Sequence, residues 1–338
     1  MPPALSVARF LVPAALLLVG GRPAATDAMR EGAQHTGYPE HAIRLLVPYA
    51  AGGGADFWAR AVSERLADRL HVAITVDNRP GTGGNAGTAI AAAGAPDGYT
   101  LLLGSVGPLA VHPATYRQLA FDPATAFAPV GLLESSPLAL VIHPSVPAQT
   151  LPELLAYAKA HPGTLTCGTN GMGSPEHVAY QWLVQTAGVE IKHVPFDGAG
   201  PARKALARNG VSMMLDPMKA AMPAVQKGSE RALAVAGPAR LPTMPHVPTF
   251  AEAGVPGLDG LRIWTGILAP AGTPRAIIDT LNAALRDVMA EPEMRASVAQ
   301  VGGRATPGSP AEFAAFIRSE RGVWRTLARK TGLVGVVQ

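Results

Sequence analysis

Residues 50–60 read AAGGGADFWAR: three consecutive glycines, Gly52, Gly53 and Gly54, follow the apolar run IRLLVPY (43–49) and lead into a segment of helical spacing. The apolar run clusters as a buried strand does, and FWARAVSERLADRL (57–70) sets Phe57, Ala61, Leu66 and Leu70 toward one face with charges opposite. A backbone bare of side chains at the mouth of a helix exposes unpaired N–H groups and the positive end of the macrodipole. Strand, glycine turn and helix therefore predict an α/β chain, and the turn reads as a seat for an anion.

The same alternation continues outward. VAITVDN (72–78) predicts a strand, RPGTGGNAG (79–87) a second glycine loop, TAIAAAGA (88–95) a helix, and YTLLLGS (99–105) a third strand after the turn PDG. Further on, TLPELLAYAKAHPG (150–163) is a helix capped by Thr150, and TLTCGTN (164–170) is a strand entering GMGSPEH (171–177) and another helix. IKHVPF, the loop DGAG, the helix PARKALARNG and the strand VSMMLD form one more unit; LRIWTGILAP (261–270) is a strand, and two amphipathic helices close the chain. Helices alternating with strands predict a mostly parallel sheet flanked by helices, in two α/β units that face each other.

Composition narrows the function classes. The 338 residues are 48% hydrophobic and 15% charged, a globular balance large enough for two domains. The net charge of +4 is spread along the chain without a basic stripe, which argues against a nucleic-acid partner. Arg9 followed by FLVPAALLLVGG (10–21) predicts a signal peptide over 1–28, cleaved after Ala28 with Thr26 and Ala28 as its small residues. The single cysteine, Cys167, is far from that site, so no lipoprotein anchor and no internal disulfide is expected. The histidines show no HExxH or HxxxH spacing, so no metal site is expected.

The glycine loops lack the lysine of a nucleoside-triphosphate loop. A dinucleotide fingerprint matches formally at Gly81, Gly83 and Ala86, without an acid placed for the ribose. The reading that remains is a small carboxylate held by backbone amides of Gly52, Gly53, Gly54 and Ala55, completed by 168–174 from the other unit. The alternative is that the glycines only shape tight strand-to-helix turns.

Seven landmarks in order, IRLLVPYAAGGGADFWAR, DNRPGTGGNAG, APDGYTLLLGS, TCGTNGMGSPEH, HVPFDGAGPA, VPTFAEAGVPG and WTGILAPAGTP, with the ending LNAALRDVMAEPEMRASVAQVGG, resemble the Bug family. These are TctC-type extracytoplasmic solute-binding proteins of tripartite tricarboxylate transporters. The resemblance runs from about Tyr38 to the C-terminus. It implies a two-lobed periplasmic binding fold of type II, a Venus flytrap, with lobe 1 formed by 29–135 and 263–338 and lobe 2 by 136–262. It also implies a monomer that captures a small carboxylate (a di- or tricarboxylate, amino acid or aromatic acid) for membrane subunits, with no cofactor and no catalysis. A ligand-sensing receptor of the same fold is one alternative. An exported enzyme using Cys167 or a dinucleotide is another.

Individual residues follow from these readings. Tyr49 either walls the pocket or packs. Asp56 either caps its helix or meets the ligand, and Ser105 either donates to the ligand or turns the chain. In the second unit Gly168, Thr169, Asn170 and Ser174 surround a turn, where Ser174 before Pro175 is also a plain helix cap. Asp197, Gly198 and Ala199 are expected to face the ligand from the loop after a strand. Asp216 ends a strand, as a ligand contact or in a hinge or capping role. Glu176 is expected to point away and serve the helix dipole, the alternative being a ligand that carries an amine.

Overall fold

The computed structural model describes residues 37–300 and 307–338. The expected signal peptide, 1–28, lies outside the described residues. β1 (Ile43–Val47) passes through the glycines into α1 (Gly54–Leu70), which begins without a side-chain cap and stops at His71 in the left-handed conformation, φ 56°. β2 (Ile74–Asn78), α2 (Asn85–Ala92), β3 (Thr100–Ser105) and the short α3 (His112–Thr115) complete the first series. β4 (Phe127–Ile142) follows, then α4 (Leu151–Ala160), β5 (Thr166–Thr169), α5 (Pro175–Ala187), β6 (Lys192–Pro195), α6 (Ala199–Ala207), β7 (Met213–Pro217), α7 (Met218–Gln226) and β8 (Arg231–Val235). The chain then returns through β9 (Arg262–Pro270) and ends in α8 (Arg275–Ala290), α9 (Pro292–Gln300) and α10 (Pro310–Lys330).

Local chemistry sets these boundaries. The Thr150 hydroxyl accepts the Glu153 N–H at the start of α4, and Ser309 with Glu312 forms a reciprocal capping box on α10. Gly188, at φ 60°, ends α5 where a side chain would be strained. β4, β8 and α9 extend the elements anticipated from periodicity.

The strands lie in the order β2-β1-β3-β9-β4-β7-β5-β6, with β8 on the other side of β4. β1, β2 and β3 are parallel, as are β5, β6 and β7, while β9 and β4 run antiparallel to their neighbours. β4 belongs to both halves. Up to Pro137 it pairs with β9, and from Leu138 it pairs with β7 and β8. Leu140 and Ile142 on β4 join a core with Leu215, Phe250 and Trp264, while α8 buries Ile277, Ile278, Leu281 and Leu285 under the first half. Each such side chain contributes roughly 1.5–3 kcal/mol on burial, so the sheet is held rigidly enough to aim the loops at its strand ends.

Candidate functional site

In parallel α/β sheets, ligand-facing groups collect beyond the carboxyl ends of the strands, where helices begin. Here Tyr49, Asn78 and Ser105 leave the ends of β1, β2 and β3, and Asn170, Asp197 and Asp216 leave or end β5, β6 and β7. In the first half Tyr49 and Ser105 share a hydrogen bond of 2.6 Å, and Asn78 Nδ2 donates to the Tyr49 carbonyl at 3.0 Å. Burial pushes the Tyr49 phenol up to about 12. The loop before α2 presses against this pair: Gly84 sits at φ +98°, and a Cβ there would lie 3.0 Å from the Tyr49 phenolic oxygen. Asn85 beside it is buried; its Oδ1 is 2.8 Å from His112 Nδ1, and its Nδ2 has no protein partner.

The glycine loop is organised by Asp56. Its carboxylate accepts the Gly52 N–H at 2.9 Å and the Arg60 guanidinium at 3.0 Å, and Arg60 first, then the Gly52 amide, holds it below the usual carboxylate range against the effect of burial. The Gly52 amide is thus occupied by Asp56, which corrects the expectation that it donates to a ligand. Gly53 is the N-cap of α1 and supplies no side chain, so the amides of Gly54 and Ala55 open the helix without a side-chain cap. Asp56 Oδ1 is buried without a partner.

In the second half two expected contacts are corrected. Gly168 lies inside β5, hemmed by Val211, Met214 and Phe196, so it packs the sheet. Thr169 is fully buried, and its hydroxyl is 2.7 Å from His193 Nε2. Ser174 caps α5, accepting the His177 N–H at 3.2 Å, and Asn170 keeps a buried, unpartnered Oδ1. Asp197 is exposed, Gly198 caps α6 at φ 95°, and Ala199 begins that helix. Asp216 is 1% exposed, and Arg203 engages both its oxygens, Nε at 2.7 Å and Nη2 at 3.0 Å. Burial raises Asp216 and Arg203 pulls it back.

Glu176 is the acid of the first turn of α5, as its expected service to the helix dipole requires, and it is only 3% exposed. Burial raises its carboxyl to about 7, Asp216 adds to the rise, and its own amide, the Ser174 hydroxyl and Arg203 oppose it. Its charge also raises the Tyr49 phenol, and among the described residues Oε2 has no hydrogen-bond partner. Arg203 and Asn85 join this surface although sequence reasoning passed over them. A signal existed for Arg203, because helical side chains lean toward the N-terminus and set it over the loop that opens α6.

Cys167 sits fully buried in β5 with its thiol raised to about 12 by burial, an environment opposed to the thiolate a nucleophile needs. His177 and His193 stack at 4.2 Å behind the loop, and His177 Nδ1 accepts the Gly173 N–H at 3.0 Å. The second glycine loop, which formally matched a dinucleotide fingerprint, has Gly83 against His112 and Gly84 against Tyr49 and Pro108. Among the described residues no cluster of three or more His, Cys, Asp or Glu is disposed to hold a metal, and no helix is long and apolar enough to cross a membrane. Two surface concavities lie elsewhere: one of about 470 Å³ lined by Arg318, Arg321, Arg325 and Asp122, and one of about 480 Å³ beside Trp182 and Lys330. Neither is lined by the facing loops. Among the described residues, four buried polar atoms without hydrogen-bond partners do lie beyond those strand ends, on Asn170 after β5 and on Asp56, Asn85 and Glu176 in the first turns of α1, α2 and α5.

Residues 58–333 match the family model described as tripartite tricarboxylate transporter family receptor, TctC. Protein BugT of Bordetella pertussis is 32% identical over 318 residues, covering 94% of this chain and 97% of its own. Among solved structures, R. palustris Rpa4515 with adipate shares 32% identity at a TM-score of 0.83, covering 88% of this chain and 99% of that one. MatC from Rhodopseudomonas palustris with bound malate shares 32% identity at a TM-score of 0.79, covering 86% and 99%. Coverage of this extent takes in both halves of the sheet, and the architecture is the two-lobed α/β fold expected.

Proposed function

The chain belongs to the family of tripartite tricarboxylate transporter receptors, and on that premise we propose that it captures a small carboxylate between its lobes and presents it, unaltered, to membrane subunits of such a transporter. It acts in the periplasm, as a monomer freed of its signal peptide. Lobe 1 comprises 29–135 and 263–338 and lobe 2 comprises 136–262, hinged where β4 changes partners at Pro137. The observation that carries this reading is the set of buried, unpartnered polar atoms on the loops of both halves, because such atoms in a folded protein call for a ligand or water. In the first lobe the amides of Gly53, Gly54 and Ala55, with Tyr49, Ser105 and Asn85, offer donors to a carboxylate. In the second, Asn170, Ser174, Gly198, Ala199 and Arg203 close on it. Adipate and malate, held by the two structural relatives, are both dicarboxylates.

Thermal unfolding of the purified mature chain with a panel of di- and tricarboxylates, acidic amino acids and aromatic acids tests the proposal. A true ligand at a hundred times its Kd adds about 2.7 kcal/mol of stability. A panel that leaves the melting temperature unmoved throughout would overturn it.

A further inference from the structure

The charge balance of the second lobe's wall narrows the ligand beyond a carboxylate, and the step rests on the carboxylate reading above. Glu176, Asp216 and Glu230 are each less than a tenth exposed; Arg203 acts on all three, and Lys219 acts besides on Asp216. Arg203 is engaged with both oxygens of Asp216. Glu176 is left with a buried Oε2 that nothing in the described residues hydrogen-bonds, and its charge acts on the Tyr49 phenol beyond the end of β1. In its ionised form this carboxyl meets a ligand bearing only negative groups as a like charge. A ligand with an ammonium group would supply the donor that Oε2 lacks and neutralise the wall.

The first lobe has the opposite character, with helix-start amides at Gly54 and Ala55, the Ser105 hydroxyl and the unpartnered Asn85 Nδ2, all suited to a carboxylate. We infer that the cleft is built for an amino carboxylate, its carboxylate end in the first lobe and its ammonium on Glu176. The groups that act on the charge of Glu176 are Ser174 just before it, Asp216 from β7 and Arg203 from α6, and Glu176 in turn acts on Tyr49 beyond the end of β1. Glu230 adds a further acid beside Asp216 and Arg203.

Matched pairs that differ only by the amine separate the inference from its premise: succinate against aspartate, glutarate against glutamate, butyrate against 4-aminobutyrate, each titrated calorimetrically into the mature chain. The amino member binds at least about tenfold tighter in one or more pairs, as a charge-assisted hydrogen bond to a buried carboxylate implies. Glu176→Gln collapses that ratio. A second measurement needs no variant: with Glu176 raised to about 7, affinity for the amino member rises by about tenfold between pH 6 and pH 8 as the carboxyl ionises. Plain acids that bind as well as their amino partners, or an affinity that falls over this pH range, overturn the inference and leave the carboxylate function standing. Failure of both members of every pair overturns both.

Discussion

Lys219 of α7 is ion-paired with Glu134 of β4 next to the point where that strand changes partners; the Glu134 side chain is fully buried and that of Lys219 partly so. Thr265 of β9 donates to the same Glu134 oxygen at 3.0 Å, and the Lys219 N–H donates to Ser136 Oγ at 3.1 Å. The pair therefore ties an element of the second half to two strands of the first. Replacing Lys219 by Met leaves a carboxylate buried without its partner and lowers the free energy of unfolding by about 3–5 kcal/mol. Pairing Lys219→Met with Glu134→Leu recovers most of that loss in urea unfolding; additive losses would contradict the coupling.

Asp56→Ala removes the acceptor that holds the Gly52 N–H and Arg60. It lowers stability by about 1 kcal/mol and weakens ligand binding, because the glycine loop loses its fixed shape. Asp56→Asn retains an acceptor and falls between the two. Paired denaturation and affinity measurements on the three proteins check the order.

Gly84→Ala puts a side chain at φ +98° and 3.0 Å from the Tyr49 phenolic oxygen, so it destabilises by more than about 1 kcal/mol and disturbs the Tyr49–Ser105 bond. Gly200→Ala is the control. Gly200 lies in α6 with no atom within 4 Å of an added Cβ, and the change there raises stability by about 0.4–1 kcal/mol. Equal unfolding midpoints for the two variants would refute the close approach.

Two of the buried groups pull the pH dependence of the ligand-free protein in opposite directions. Glu176 is raised to about 7 in the fold from a value of 4.5, so the folded state binds the extra proton and gains stability as pH falls from 7 to 4.5. His177 is lowered to about 4 by burial and by His193, so the unfolded state binds more protons and stability is lost as pH falls from 6.5 to 4. Glu176→Gln removes the first contribution. The variant is more stable than the parent at pH 8, by up to about 3 kcal/mol, and the gain fades to nothing by pH 4.5. Melting curves at half-unit steps of pH display the difference as a steeper acid loss.

The alternation of strands and helices was legible because glycine loops follow β1, β2 and β5 and side-chain caps open α4 and α5, at Thr150 and Ser174. β4 was not, for Pro129, Gly131 and Pro137 break its apolar run. In the fold those residues mark the register shift against β9 and the exchange of partners, matters of tertiary pairing that no local period reports. The site was legible to the level of its loops. Which donor each loop leaves for a ligand was not: Gly52 bonds Asp56 and Thr169 bonds His193, and both partners are set by packing. Glu176 reads in sequence as an ordinary first-turn acid, and its burial is set by tertiary packing that no local pattern reports.

β9 lies between β3 and β4, so Ser105 completes its pairing only with Thr265, whereas β4 to β8 form one contiguous run. In time this means that the second lobe assembles while the first is still an open edge, because closing the longer loop is the slower event. Pulse-labelled hydrogen exchange during refolding shows it as protection at Leu215 on β7 before Leu268 on β9. The lobe that carries the first glycine loop is finished last, and the chain cannot grasp a ligand until its returning strand has locked into place.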